Sequence, residues 1–168
     1  MKGKNIVVTG ASGALGKVVV ASALAKGAHV AGIDHAASAM KATPERIELG
    51  GVDLTDASEA KKAIDAAASH FGKLDALINI AGGFAFETTA EGDPKTWQRM
   101  YALNVLTALN ASRSAIPYLT VSGEDISSMS ARWARFRPAR AWGPMRRRRR
   151  ACTASPRHSP PNGRARSP

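Results

Sequence analysis

The chain has 168 residues, a single cysteine (Cys152) and a formal net charge of +11. A lone cysteine excludes a disulfide framework and a thiol-rich metal site, and no apolar run approaches the ~18 residues that a membrane-spanning helix needs. Residues 1–120 carry 12 Lys and Arg against 11 Asp and Glu, whereas residues 121–168 carry 12 Arg, no Lys, and only Glu124 and Asp125 in opposition. The basic character therefore belongs to the tail and says little about a folded part. Met1-Lys2-Gly3-Lys4 runs straight into a buried-strand pattern without a signal-peptide stretch, so a cytoplasmic protein with no membrane partner is expected.

The predicted elements alternate between strand and helix. Asn5 to Thr9 is a short apolar run that ends in a Gly-rich turn, as a buried parallel strand does. From Gly13 to Lys26, Leu15, Val18, Val19 and Ala23 recur at helical spacing, and Gly27 stops the helix. Ala28 to Ile33 is a second strand closed by Asp34, and Arg46 to Leu54 a weaker third. Ala57 to Phe71 is an amphipathic helix ended by Gly72. Leu74 to Ile80 is a fourth strand, and Pro94 to Tyr118 reads as one long helix with Pro94 in its first turn. This order predicts an α/β fold: a partial Rossmann-type, doubly wound parallel sheet of about four strands with helices on both faces, over residues 1–120. Beyond residue 120 neither period continues. Trp133, Phe136 and Trp142 sit among arginines, and residues 156–168 are rich in Pro, Ser, Gly and Arg, so residues 121–168 are expected to be a disordered basic tail.

Between the first strand and first helix lies Thr9-Gly10-Ala11-Ser12-Gly13-Ala14-Leu15-Gly16. Glycines there let backbone approach a pyrophosphate, and the helix N-terminus offers unpaired N–H groups and the positive end of its dipole. Gly10, Ser12, Gly13, Leu15 and Gly16 are the candidates for this contact, although a Gly-rich turn alone is often only a turn. Asp34 ends the second strand, 24 residues after Gly10. A carboxylate at that place accepts hydrogen bonds from adenosine ribose hydroxyls and repels a 2′-phosphate, which favours NAD over NADP; the plain alternative is a surface Asp at a strand end.

Asp53-Leu54, Asn79-Ile80-Ala81-Gly82 and the helix from Trp97 through Asn104-Val105, in this order after the glycine turn, resemble the short-chain dehydrogenase/reductase family over residues 4–120. The resemblance implies that Asp53 and Leu54 contact adenine, that Asn79, Ala81 and Gly82 steady the sheet and border the cofactor, and that Asn104 belongs to a catalytic proton relay. One departure is Ala14, where the family's ordinary glycine pattern has Gly; Gly10, Gly13 and Gly16 fit the spacing of its extended members. One added methyl beside the pyrophosphate is expected to be tolerated.

The family's chemistry also needs a serine, a tyrosine and a lysine four residues after the tyrosine, all beyond the long helix. Here Val105 stands four residues after Tyr101, Ser122 four after Tyr118, and no lysine follows Lys95. Read one base out of frame, the tail permits what is absent. The junctions from Ile126 to Ala131 permit Ile-Val-Asn-Val-Ser, the Ala131/Arg132 junction a serine, and the Pro144/Met145 junction a tyrosine thirteen codons later. Met145 to Arg149 then permits Ala-Ala-Ser-Lys. GC-rich codons for Ala, Ser and Gly become Arg when shifted, which accounts for arginines without lysines. A frameshift beginning between Val121 and Asp125, in the gene or in the recorded sequence, is the reading this supports.

Three functions follow as expectations. The first is an inactive remnant of an NAD-dependent oxidoreductase acting on an unknown alcohol or ketone, with weak NAD binding, low solubility, an exposed fourth-strand edge and the family-type homo-oligomer lost. The second makes Arg146–Arg150 a nucleic-acid or polyanion-binding arm, which the bland reading of a charge run disfavours. The third is an active enzyme whose recorded sequence carries a frame error. His29, His35, His70 and His158 show no ligand spacing, so no metal is assigned; Glu45, Glu48, Asp56 and Glu59 are expected to be solvated surface charges. Phe84 and Phe86 either border a substrate pocket or simply pack.

Overall fold

The computed structural model describes residues 1–88 and 90–119, together with two short strands at Ser128–Ser130 and Arg135–Phe136. In chain order the elements are β1 (Asn5–Thr9), α1 (Ala14–Ala25), β2 (His29–Ile33), β3 (Arg46–Leu49), α2 (Ala57–Phe71), β4 (Ala76–Asn79), α3 (Pro94–Tyr101), a π-helical segment (Ala102–Leu106), α4 (Thr107–Leu119), β5 (Ser128–Ser130) and β6 (Arg135–Phe136). The sheet runs β3-β2-β1-β4-β5-β6. β3, β2, β1, β4 and β5 are parallel to their neighbours, and β6 pairs antiparallel with β5.

Alternation along β1 builds the layers, since successive side chains of a strand face opposite sides. Ile6 and Val8 pack with Val20 and Ala23 of α1 and with Val30. Val7 points the other way, into a cluster with Ile33, Leu77, Ile64 and Ala67 of α2, and Ala111 and Ala115 of α4. A sheet covered on both faces explains why β1 is buried along its whole length. The helix ends follow local chemistry. Asp56 caps α2 by accepting from the N–H groups of Ser58 and Glu59, Gly72 closes it at φ +79°, and Asp93 caps α3 ahead of Pro94.

Four departures from the sequence reading have physical causes. The third strand is shorter than Arg46 to Leu54, because Gly51 turns the chain at φ +74° and Asp53 folds back on Thr55. The long helix is not uniform, because Asn104 Nδ2 donates to the Met100 carbonyl (2.8 Å) and Thr107 Oγ1 to the Leu103 carbonyl (2.8 Å). Both compete for carbonyls of the α-helical ladder, and the stretch between them takes the wider π turn. The fourth strand is not an exposed edge: Leu77, Ile78 and Asn79 are in register with Ser128, Met129 and Ser130. Its free ladder groups are paired by a segment of the tail, so β5 and β6 extend the expected four-stranded sheet beyond β4. The rest of that tail lies outside the described residues. Finally, one acidic residue expected to be solvated is not: Glu48 accepts from Arg46 with its side chain 8% exposed, while Glu59 and Asp56 are exposed as expected, the first accepting from the Asp53 N–H and the second capping α2.

At the amino ends of β1 and β4, Asp75 ties the two strands together. Its Oδ2 accepts from the Asn5 N–H at 2.8 Å and its Oδ1 from Lys4 and Lys73. Burial pushes this carboxyl up, but those donors outweigh burial and hold it below its ordinary value of 3.8.

Candidate functional site

The opposite, carboxyl ends of β1, β2 and β4 meet around a groove of about 690 Å³. An open parallel sheet leaves such a crevice where its connections diverge. The glycine turn forms one wall. Gly10 has φ +69°, and a Cβ there would come within 2.8 Å of the Ala81 backbone nitrogen. A Cβ at Gly16 would collide with the Gly10 carbonyl, so the first turn of α1 lies directly against the turn. Gly13 sits at the helix N-cap with no side chain to fill it. Each glycine thus occupies a place where a side chain would fill either the turn or the space over the helix end.

Asp34 faces this wall from the end of β2. Its Oδ2 accepts from the Ser12 N–H at 2.8 Å and its Oδ1 from the Ala36 N–H at 2.9 Å. The carboxylate is therefore fixed in place and retains a further lone pair on each oxygen. Asp53 lies along the same groove. Its Oδ1 accepts from the Thr55 hydroxyl (2.7 Å) and the Thr55 N–H (2.8 Å), and these bonds hold its carboxyl below the usual range. Leu54 lines the groove with part of its surface while its side chain is buried in the core.

Ten of the residues read from the sequence come together here: Gly10, Ser12, Gly13, Leu15 and Gly16 from the turn, then Asp34, Asp53, Leu54, Ala81 and Gly82. Two lie elsewhere. Asn79 is beneath the groove, buried, with its Nδ2 donating to Ser112 Oγ at 3.1 Å and its Oδ1 facing Thr9 Oγ1 at 3.5 Å. Asn104 is at the far end, where it grips the backbone of Gly83: Nδ2 donates to the Gly83 carbonyl at 3.0 Å and Oδ1 accepts from the Gly83 N–H at 3.2 Å. Ala14 also lines the groove and is exposed.

Several participants were not singled out from the sequence. Thr9 is 1% exposed, and its hydroxyl oxygen accepts from the N–H groups of Ile80 and Ala81, setting the exit of β4 against that of β1. Asn110 donates to the carbonyls of Leu54 (3.1 Å) and Thr55 (3.0 Å), holding the Asp53 loop to α4. His35, Val52 and Leu103 also line the groove. Asn110 carried a readable signal, a polar residue on the buried stripe of Thr107, Ala111 and Ala115. His35 carried none beyond its place next to Asp34.

Neither tyrosine offers a proton donor or acceptor to the groove. The Tyr118 hydroxyl donates to Asp65 at 2.7 Å, which raises its pKa above the ordinary value, and Tyr101 is an exposed residue of α3 outside the lining.

The described residues fit a dinucleotide. Glycines leave room over a helix N-terminus without a side-chain cap, and a fixed carboxylate stands at the next strand end. Comparison with known proteins agrees. The short chain dehydrogenase family matches residues 4–133. A short chain dehydrogenase/reductase of Gibberella zeae is 34% identical over 123 residues, covering 69% of this chain and 46% of that protein. The solved short-chain dehydrogenase/reductase of Serratia marcescens is 33% identical, with a TM-score of 0.64 over 70% of this chain and 53% of its own. An NADH-dependent reductase, A1-R′, solved with NAD, is 26% identical with a TM-score of 0.67 over 77% of this chain and 59% of its own. The chain spans about half the length of the curated relatives it matches. It belongs to the short-chain dehydrogenase family of oxidoreductases.

Proposed function

We propose that residues 1–120 form an NAD-binding unit of a short-chain oxidoreductase, and that the chain as written does not catalyse hydride transfer. The observation that carries the first half is Asp34, fixed by two backbone N–H groups opposite the glycine turn. An adenosine ribose lying between them would donate its hydroxyls to the free lone pairs of the carboxylate, while a 2′-phosphate would meet like charge from Asp34 and Asp53. The pyrophosphate would lie over Gly13 and the first turn of α1, where Gly13, Ala14 and Gly16 present little bulk. Bound NAD would supply a hydride acceptor. Asn104 and Gly83 would border its nicotinamide end.

The second half rests on composition. Moving a proton to or from a substrate oxygen needs a phenol whose pKa is lowered by a nearby ammonium. No lysine follows Lys95, and neither tyrosine lines the groove. The expected result is an NAD Kd of about 0.1 mM or weaker by titration calorimetry, with NADP at least about tenfold weaker, and no turnover of alcohols or ketones. Micromolar NAD binding by a soluble monomer, or any nicotinamide-linked turnover by material of this mass, overturns the corresponding half.

A second reading, an active enzyme whose recorded sequence has lost its frame, is favoured by the hidden order of serine, tyrosine and lysine codons. Pairing of Ser128–Ser130 beside β4, in the place of a fifth strand, also supports it. Sequencing the DNA between codons 118 and 130 decides it. An arginine arm for nucleic acid has Arg146–Arg150 behind it, with Trp133 and Trp142 as base-stacking candidates; a salt titration of binding with and without the tail tests that.

A further inference from the structure

The loop leaving β4 turns large apolar side chains outward that the nucleotide groove does not use. Phe84 and Phe86 are 74% and 83% exposed, and Trp97 on α3 is 54% exposed. With Met100 they line a second groove of about 320 Å³, a volume at the small end of sites for organic ligands. The two grooves share a wall. Gly82 and Leu103 line the first, their neighbours Gly83 and Asn104 the second, and the hydrogen bonds between Asn104 and Gly83 hold that wall together. A small molecule seated here would lie end-on to whatever occupies the nucleotide groove.

The chemistry of the lining is one-sided. Three aromatic rings and a thioether offer flat, polarizable surface. Among the described lining residues there is no Lys, Arg or His, and the one charged group is Glu87, whose Oε2 accepts from the Asp93 N–H at 2.9 Å. An anion entering the groove would lose water, find no cation and meet a carboxylate.

We infer that this groove takes the uncharged aromatic body of the carbonyl compound or alcohol, and turns away carboxylates and phosphates. The inference deepens the oxidoreductase reading above and rests on it for the word substrate, though not for binding. Phe84 and Phe86 stack on one side of the ligand, Trp97 and Met100 support the other, and Glu87 supplies the discrimination by charge.

Ligand binding can be followed without turnover. The full chain is titrated with 4-fluoroacetophenone and with 4-fluorobenzoate by fluorine NMR, and separately with NAD by calorimetry. The ketone is expected to bind at least about tenfold more tightly than the carboxylate, a gap of one factor of ten in Kd. Phe84→Ala with Phe86→Ala is expected to weaken the ketone about fivefold or more and to leave NAD binding unchanged, since loss of stacking acts only in the second groove. Both side chains are exposed, so the fold does not depend on them. Glu87→Gln keeps the acceptor for Asp93 and removes the charge, and is expected to strengthen the carboxylate several-fold with no change for the ketone. Equal affinity for the two probes, or a double variant that binds the ketone as the parent does, overturns the inference. NAD binding without ketone binding overturns it and leaves the oxidoreductase reading standing. Selective ketone binding without NAD binding supports the groove and removes the oxidoreductase reading. Binding of neither removes both.

Discussion

The exits of β1 and β4 lie side by side at the carboxyl edge of the sheet, yet they are built in opposite ways. The β1 exit is backbone work. Gly10 N–H donates to the Ile33 carbonyl at 2.8 Å, Gly16 rests on the Gly10 carbonyl, and Ser12 N–H is held by Asp34. The β4 exit is side-chain work. Thr9 and Asn104 grip its first residues, Glu87 accepts from Asp93, and between these anchors two phenylalanines stand in solvent. A site for a phosphate chain needs many N–H groups in fixed positions, which only a tight local turn provides. A site for an apolar body needs area, which a loop can offer with few anchors. Damage should therefore divide: glycine substitutions should ruin the first region, and amide or hydroxyl deletions should loosen the second.

Gly16→Val is the strongest way to break the comparison. The new side chain would meet the Gly10 carbonyl and the Ala11 Cα, both backbone atoms that cannot rotate aside. A loss of about 3 kcal/mol or more is expected by urea unfolding, at the upper end of overpacking effects, with nucleotide binding abolished. A folded variant that still binds NAD would show that the turn is not a rigid cradle.

Asn104→Ala tests the other side. It deletes bonds to both backbone groups of Gly83 and to the Met100 carbonyl, at an expected cost of about 1–3 kcal/mol. The diagnostic is local. Amide exchange at Gly83 should quicken by about tenfold or more, following the opening free energy of that segment, while the Ser12 amide keeps its protection. Equal acceleration at both sites would mean that the two exits act as one unit.

Asp34→Ala links the β1 turn to ligand choice. It removes the acceptor of the Ser12 and Ala36 N–H groups and the proposed ribose partner. NAD affinity is expected to fall about tenfold, or about 1.4 kcal/mol, with NADP nearly unaffected. A parallel fall for both nucleotides would reduce Asp34 to a brace for the turn.

What the sequence made legible follows the same division. The glycine turn, Asp34 and the Asn79-Ile80-Ala81-Gly82 exit could be read because each depends on residues adjacent in the chain. The π turn could not, since it arises from two side chains, Asn104 and Thr107, reaching back to carbonyls in a stretch whose propensity is plainly helical. Pairing of Ser128–Ser130 with β4 escaped for a similar reason. A lone strand edge accepts an extended segment through backbone groups, and composition carries little trace of that. Thr9 looked like the last residue of a strand, and only the sheet order, which places β4 next to β1, gives its hydroxyl two N–H donors.

Asp75 provides a reference point shared by both strands, at the end of the sheet away from the grooves. Its folded pKa is lowered, so its contribution to stability is fully present above the unfolded value near 3.8 and is lost as pH falls through the lower folded value. Urea midpoints should therefore drop between pH 5 and pH 3 in the parent, and Asp75→Asn should flatten that part of the profile at a cost of about 1–2 kcal/mol at pH 7. A parent profile that is level over the same window would contradict the assignment.

The smallest effect expected is at Tyr118, where α4 meets α2. Its hydroxyl donates to Asp65, which also pairs with Lys61 at 2.5 Å. The lysine is 65% exposed, so solvent screens its attraction and its removal should change stability little. The phenol differs, because its ring packs against the α2–α4 core while its hydroxyl reaches the carboxylate. Tyr118→Phe should lower the urea midpoint slightly and Lys61→Ala should lower it less, both at neutral pH. If the order reversed, the Lys61–Asp65 pair within α2 would matter more to stability than the hydrogen bond that ties α4 to α2.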